Sequence, residues 1–439
     1  MVITRARFRL GFLTLLLAGF AFLWIHWGLD TFYRWRQQGP SAQVGHATQP
    51  SERSVERGKY LARVGNCLLC HSMPGAPPMA GGRAIQTPFG VVFASNLTPD
   101  PVAGLGRWTR DDFWQALHLG LRPDGARLNP AFPYTSFSRI TRADADALWD
   151  YLQTLAASGQ RTPATQIAWP FGTQTALAFW RALYFKPFDA QSDAVGHELP
   201  PNDLVAWTRG RYLVEGLGHC QECHSPRDRL GGIHAESRGH GGVLPGVPWY
   251  APALHSGAQD QKVSVDELAA FLQSGQAGNR FAVGPMAEVV LHGTQFLTDA
   301  DAGAMAQYLQ SLPRGPATSG LTKLTQLDTT MGADIYQDRC AQCHGDQGQG
   351  RANAYPALVG NRALLTDPPN NAVLSVLHGG FSPSTSRNPR PFGMPPYLLE
   401  LNDAQVAQVL NFTRNSWGNR GKAISALQVQ QLRQEQGKR

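Results

Sequence analysis

Cysteine placement constrains this chain more than any other feature. All six cysteines fall in three pairs of one spacing, each followed at once by histidine: Cys67-Leu-Leu-Cys70-His71, Cys220-Gln-Glu-Cys223-His224 and Cys340-Ala-Gln-Cys343-His344. None is left over for a disulfide. Two thiols three residues apart can form thioethers with the two vinyl groups of a haem while the adjacent imidazole reaches the iron, so the pattern reads as covalent haem c attachment. A zinc or redox dithiol site would not demand a histidine after every pair. Three haem c groups are therefore expected, on Cys67 and Cys70, Cys220 and Cys223, and Cys340 and Cys343, with His71, His224 and His344 on the iron.

The chain repeats around these pairs. Ahead of each lies a short helical segment with glycine and tyrosine: Gly58-Lys-Tyr60-Leu61, Gly210-Arg-Tyr212-Leu213, and Gly332 with Ile335-Tyr336. The glycines precede the first cysteines by 9, 10 and 8 residues. Behind each pair an amphipathic helix opens on a polar residue: Thr141-Arg-Ala-Asp144, Thr298-Asp-Ala-Asp301 and Asn402-Asp-Ala-Gln405. An oxygen at the start with an acid or amide three residues on resembles a capping box, and the apolar positions that follow recur at helical spacing.

The expected fold is mainly α, with three tandem class I cytochrome c-like domains preceded by one N-terminal transmembrane helix. The expected boundaries are 1–36 for a membrane anchor, 53–158, 202–312 and 326–419 for the three domains, 159–201 for an aromatic-rich linker and 420–439 for a polar tail. The linker carries Trp169, Phe171, Phe179, Trp180, Tyr184, Phe185 and Phe188, which read as packing between modules rather than as a membrane or partner patch.

An electron-transfer haem usually takes a second axial ligand, commonly methionine. The third module offers Met394 in Phe392-Gly-Met-Pro-Pro396 and the second Met286 in Gly284-Pro-Met, both shortly before the closing helix. The corresponding place in the first module reads Asn129-Pro-Ala-Phe132-Pro-Tyr134, and phenylalanine cannot ligate iron. His118 parallels His378 of the third module, where a methionine is already present, so it reads as structural. Met73 and Met79 follow His71 too closely to substitute. The first haem is thus expected to lack methionine, either five-coordinate or water-bound.

The amino end has Arg5, Arg7 and Arg9 before an uncharged apolar run from Leu10 to Leu29, long enough to cross a bilayer as a helix. It lacks the small-residue exit of a cleaved signal, so an uncleaved anchor is expected, with Trp24, Trp27, Tyr33 and Trp35 at the interface. Because c-type haem is joined to its protein outside the bacterial cytoplasm, the expected location is the inner membrane with the haem domains in the periplasm. The net charge of +7 comes from scattered basic residues, with no Lys/Arg block interleaved with aromatics, so nucleic acid is not an expected partner.

From about Ser54 to Gly418 the chain resembles the tri-haem cytochrome c subunits of bacterial membrane-bound dehydrogenases, typified by the alcohol and gluconate dehydrogenase complexes. The stretches that carry the likeness are Thr87-Pro-Phe-Gly90, Asn96-Leu-Thr-Pro-Asp100, Gly210 to His219, Gly284-Pro-Met-Ala-Glu288 and Arg414-Asn-Ser-Trp-Gly418, with the three attachment sites. Alcohol dehydrogenase relatives have methionine where this chain has Phe132. The Pro-Ala-Phe-Pro-Tyr form is similar to relatives that accompany molybdenum hydroxylases of aldehydes or N-heterocycles. The resemblance implies a non-catalytic subunit that takes electrons from a dehydrogenase catalytic subunit and delivers them to ubiquinone or a terminal oxidase. No dinucleotide loop, paired carboxylates or nucleophile constellation competes with that reading. The alternatives are a haem enzyme using an open first haem to bind a small molecule, and a haem c subunit of a terminal oxidase.

Overall fold

The structure, a computed structural model, describes residues 50–189, 204–254, 263–313 and 330–436 apart from 279 and 353, together with 14, 16, 17, 19–21 and 24. Its main helices form three pairs, each an opening helix that leads to a cysteine pair and a closing helix that packs across it. The pairs are Glu52–Val64 with Arg142–Gln153, Leu204–Arg211 with Asp299–Ser311, and Thr330–Arg339 with Asp403–Asn415.

Glycine makes each packing possible. A Cβ on Gly58, Gly210 or Gly332 would overlap the backbone carbonyl of Ala147, Ala304 or Gln408, and would lie 2.8, 2.9 and 2.9 Å from the Cβ of Tyr151, Tyr308 and Phe412. The backbones therefore meet with no side chain between them. The extra residue between Gly210 and Cys220 is taken up by a π-helical stretch over Tyr212–Leu217, a common way to absorb one residue without ending a helix.

The first two units share one hydrophobic core, in which Leu61, Leu148 and Leu152 join Leu213, Leu217 and Met305. The third has its own, around Leu374, Leu377, Val406 and Leu410. The first and second units also meet reciprocally. Tyr60 donates to the Asp301 carboxylate at 2.6 Å, and Tyr212 donates to Asp144 at 2.7 Å. Each carboxylate is held from its own unit by an arginine, Asp144 by Arg57 at 2.6 Å and Asp301 by Arg209 at 2.7 and 2.8 Å. Five residues after the two glycines stand Arg63 and Glu215, and both reach across. Arg63 lies over the Phe296 ring at 4.6 Å, and Glu215 pairs with Arg139 at 3.3 Å.

The helix starts explain this use of Asp144 and Asp301. Thr141 and Thr298 cap their helices by accepting from the backbone amides of those aspartates. The carboxylates do not fold back to complete the box; they are spent on the neighbouring unit. In the third unit Asn402 and Gln405 close a full capping box, and Gln405 stays local. The third unit docks on the second through a different patch. Asn371 accepts from the Tyr250 amide and donates to its carbonyl, at 2.9 and 2.7 Å, and Arg362 donates to the Ala253 carbonyl at 3.0 Å.

The aromatic segment after the first unit packs as a strap. Gln166–Ile167 adds a third antiparallel strand to the hairpin Ala84–Thr87 and Gly90–Phe93. The helix Gln174–Tyr184 buries Leu177, Ala178 and Arg181. From it Trp180 donates to the Leu230 carbonyl and Tyr184 to Asp228, both on the second unit. Residues 420–439, polar in composition and expected as a tail, include the helix Ala426–Gln436, whose Val429 and Leu432 enter the third core and whose Arg433 holds Asp403 at 2.7 Å. Polar composition hid a helix that packs through two apolar residues.

The expected membrane anchor, and with it the inner-membrane location, needs correction. Among the described residues no helix is long and apolar enough to cross a membrane. Within the run from Leu10 to Leu29, residues 14, 16, 17, 19–21 and 24 are described as helical and exposed; the others lie outside the described residues. A span needs about 20 continuous helical residues, and apolar composition alone does not supply them.

Burial alone would raise the Asp301 carboxyl, but the bonds from Arg209 and Tyr60 outweigh it and hold the group below its ordinary value of 3.8. A depressed carboxyl stabilises the fold above that value, and the contribution is lost as pH falls through the folded value. Asp301→Asn is expected to cost roughly 2 kcal/mol at pH 7. In thermal unfolding the gap between it and the unsubstituted chain should narrow below pH 4, and a gap unchanged at pH 3 would contradict the assignment.

Candidate haem sites

Each cysteine pair sits where its opening helix has just ended. Asn66 and His219, immediately before Cys67 and Cys220, adopt left-handed backbone angles of +54° and +40°, which turn the chain out of the helix and into the attachment segment. All six cysteines are free. Burial pushes the Cys67 and Cys220 thiols up to about 12 and those of Cys223 and Cys340 to about 11. Among the described residues no three His, Cys, Asp or Glu side chains converge as a metal site.

The histidines provide the clearest geometry. His71 Nδ1 meets the Ser95 carbonyl at 2.7 Å, His224 Nδ1 the Pro252 carbonyl at 2.6 Å, and His344 Nδ1 the Pro356 carbonyl at 2.9 Å. A carbonyl can only accept, so Nδ1 carries the proton and Nε2 presents its lone pair. Iron-ligating histidine is oriented by this kind of outer bond. Burial lowers the pKa of all three imidazoles, keeping them neutral as ligation requires. These residues fit a haem c at each site.

The acceptors were missed in the sequence, although a signal was there. Pro252-Ala-Leu254 and Pro356-Ala-Leu358 repeat one tripeptide at the acceptor positions, and Ser95-Asn-Leu97 keeps its leucine.

Met286 is the second residue of the helix Pro285–His292, entered through Gly284 at φ +54°. A Cβ on Gly284 would lie 2.7 Å from the Trp249 ring, so the indole seals the turn that presents the methionine. Met394 lies in the two-residue strand Gly393–Met394, paired with Gly380–Phe381, beside the third core. Both methionines are half-buried. Phe132 is half-buried too, packed against the shared core with its ring 5.4 Å from Phe137. Met79 is buried in that core at φ +62°.

His118 is buried on the closing side of the first unit, stacked on Trp114 at 4.5 Å. The Ser138 carbonyl engages its ring, and burial lowers its pKa to about 4. The residue at the same repeat position in the second unit is Gln273, which donates to the Leu297 carbonyl at 2.9 Å. Both side chains tie a helix to the segment just ahead of a closing helix.

A helical fold with such attachment segments defines a c-type cytochrome, and the cytochrome c family model matches residues 330–417, within the third unit. The cytochrome c subunit of alcohol dehydrogenase (quinone) from Gluconobacter oxydans is 34% identical over 89% of this chain and 84% of its own. The gluconate 2-dehydrogenase cytochrome c subunit of Pantoea cypripedii is 36% identical over 88% of this chain and 91% of its own. A nicotinate dehydrogenase subunit of Pseudomonas putida is 36% identical over 91% of this chain, which spans 34% of that protein. The chain belongs to the family of cytochrome c subunits of dehydrogenase complexes.

His118→Gln should preserve the tie to Ser138, as Gln273 does in the second unit. Visible spectra should be unchanged and the melting temperature should fall by no more than a few degrees, whereas loss of a haem band would make His118 a ligand.

Proposed function

We propose that this chain holds three haems c and passes electrons out of a dehydrogenase without transforming a substrate itself. The observation that carries the reading is the triple repeat of a half-buried imidazole held by Nδ1 on a backbone carbonyl, each beside two free cysteines. Haem c supplies a one-electron iron couple. The cysteine pairs would fix it covalently, His71, His224 and His344 would hold the iron on one side, and the thioethers of Met286 and Met394 would hold it on the other at the second and third sites. A methionine thioether favours the reduced iron and raises the potential. Phe132 stands in the corresponding place of the first site and leaves that iron without a thioether.

The partner is a dehydrogenase catalytic subunit. The alcohol and gluconate relatives support an alcohol or gluconate dehydrogenase and the nicotinate relative a nicotinate dehydrogenase, while this chain's own Pro-Ala-Phe-Pro-Tyr form resembles that of subunits that accompany molybdenum hydroxylases. Electrons then leave to ubiquinone or a terminal oxidase.

Intact mass and haem staining should give three covalent haems per chain; two would overturn the assignment. Met286→Ala and Met394→Ala should each remove one methionine–iron charge-transfer band and lower one potential, and a spectrum left intact would exclude that residue. Phe132→Met conserves volume and apolarity, so it should add a third such band and raise the lowest potential. An unsubstituted chain already showing three His/Met haems would contradict this.

A further inference from the structure

The loop that carries Phe132 does not end on its own unit. Three and four residues on, Thr135 and Ser136 donate their hydroxyls to one carboxylate oxygen of Glu222, at 2.7 and 3.0 Å. Glu222 lies between the two cysteines of the second attachment site. Its other oxygen accepts from Arg227 at 2.8 Å, and Arg227 also donates to the Glu222 carbonyl at 2.7 Å, so the carboxylate is clamped to its own segment. A second string runs beside this one. The Phe132 ring lies 5.4 Å from Phe137, and Phe137 meets His219 edge-on at 5.3 Å, one residue before Cys220.

The arrangement is one-sided. Between Cys67 and Cys70, Leu69 takes the place that Glu222 has in the second site, and leucine can accept no hydrogen bond. The exchange of Tyr60 with Asp301 and Tyr212 with Asp144 is reciprocal, whereas this half-buried carboxylate acts in one direction only, from the second attachment segment to the loop that carries Phe132.

We infer that Glu222 is a positioning residue that sets the loop over the open side of the first haem from within the attachment segment of the second. The inference rests on the proposal of a haem at each site and of Phe132 in the ligand place of the first. Glu222 holds Thr135 and Ser136, they lie in the turn Tyr134–Phe137, whose first amide donates to the Phe132 carbonyl, and through that turn they would set how closely Phe132 covers a haem bound at the first site. A residue covalently adjacent to one haem would thus control access to another.

The test uses the full chain with its haems, after intact mass has verified three per chain. Imidazole is titrated into the oxidised protein, and each haem's potential is recorded by spectroelectrochemistry. Glu222→Ala, which removes both acceptors, should tighten imidazole binding at the first haem about tenfold, as expected for one lost charge-assisted bond holding the loop closed, and should shift that haem's potential. Glu222→Gln keeps an acceptor oxygen for the two hydroxyls but loses the charge, so its imidazole affinity should fall between those of the unsubstituted chain and Glu222→Ala. Thr135→Val with Ser136→Ala should reproduce the alanine effect with the second site's sequence intact. Glu222→Ala altering only the second haem, with imidazole affinity and potential at the first unchanged, would overturn the inference while leaving the three-haem reading standing. A chain without haem on Cys67 and Cys70 would overturn both.

Discussion

Everything in this chain hangs on backbone meeting backbone at Gly58, Gly210 and Gly332. A glycine inside a helix costs about 1 kcal/mol of propensity, and here the cost is offset three times by bringing a closing helix into direct contact with an opening one. The contact lies 8 to 10 residues upstream of a first cysteine. It therefore fixes where the opening helix ends and the direction from which the attachment segment departs. The histidine bonds to Ser95, Pro252 and Pro356 can recur in three separate sequences because the frame beneath them is the same.

On that common frame the units have diverged in what they do with a single side chain. The third residue of the closing helix is Asp144, Asp301 or Gln405. As glutamine it turns inward and completes a local cap. As aspartate it receives an arginine from its own unit and a tyrosine from the neighbour. The third unit has Met331 and Asp334 where the other two have their arginine and tyrosine, so it lacks both halves of the exchange. The shared core of the first two units and the separate core of the third follow the same division.

Much of this was legible in the sequence. The cysteine pairs marked the candidate sites, the glycines and tyrosines marked the opening helices, and Thr141, Thr298 and Asn402 marked the closing ones, because each of those signals acts within a few residues of itself. What escaped acts at a distance or through the backbone. The carbonyls that hold the histidines stand 12 to 28 residues beyond them and are marked only by a short repeated tripeptide, the Asp144 and Asp301 carboxylates leave their own helices, and Glu222 meets donors more than 80 residues away. Composition misled at both ends: an apolar run has the make-up of a span, and a polar run hid the packing of Val429 and Leu432.

The exchange of Tyr60 with Asp301 and Tyr212 with Asp144 has the form of an isologous interface, in which residue i of one copy meets residue j of the other and the reverse holds as well. Such a surface is complementary to itself. Each unit carries both halves of the exchange, an arginine-held aspartate and a tyrosine, so either face is complementary to a copy of itself. In a homodimer every substitution appears twice; in one chain the association is intramolecular and the two faces are free to differ, as Glu222 and Leu69 do.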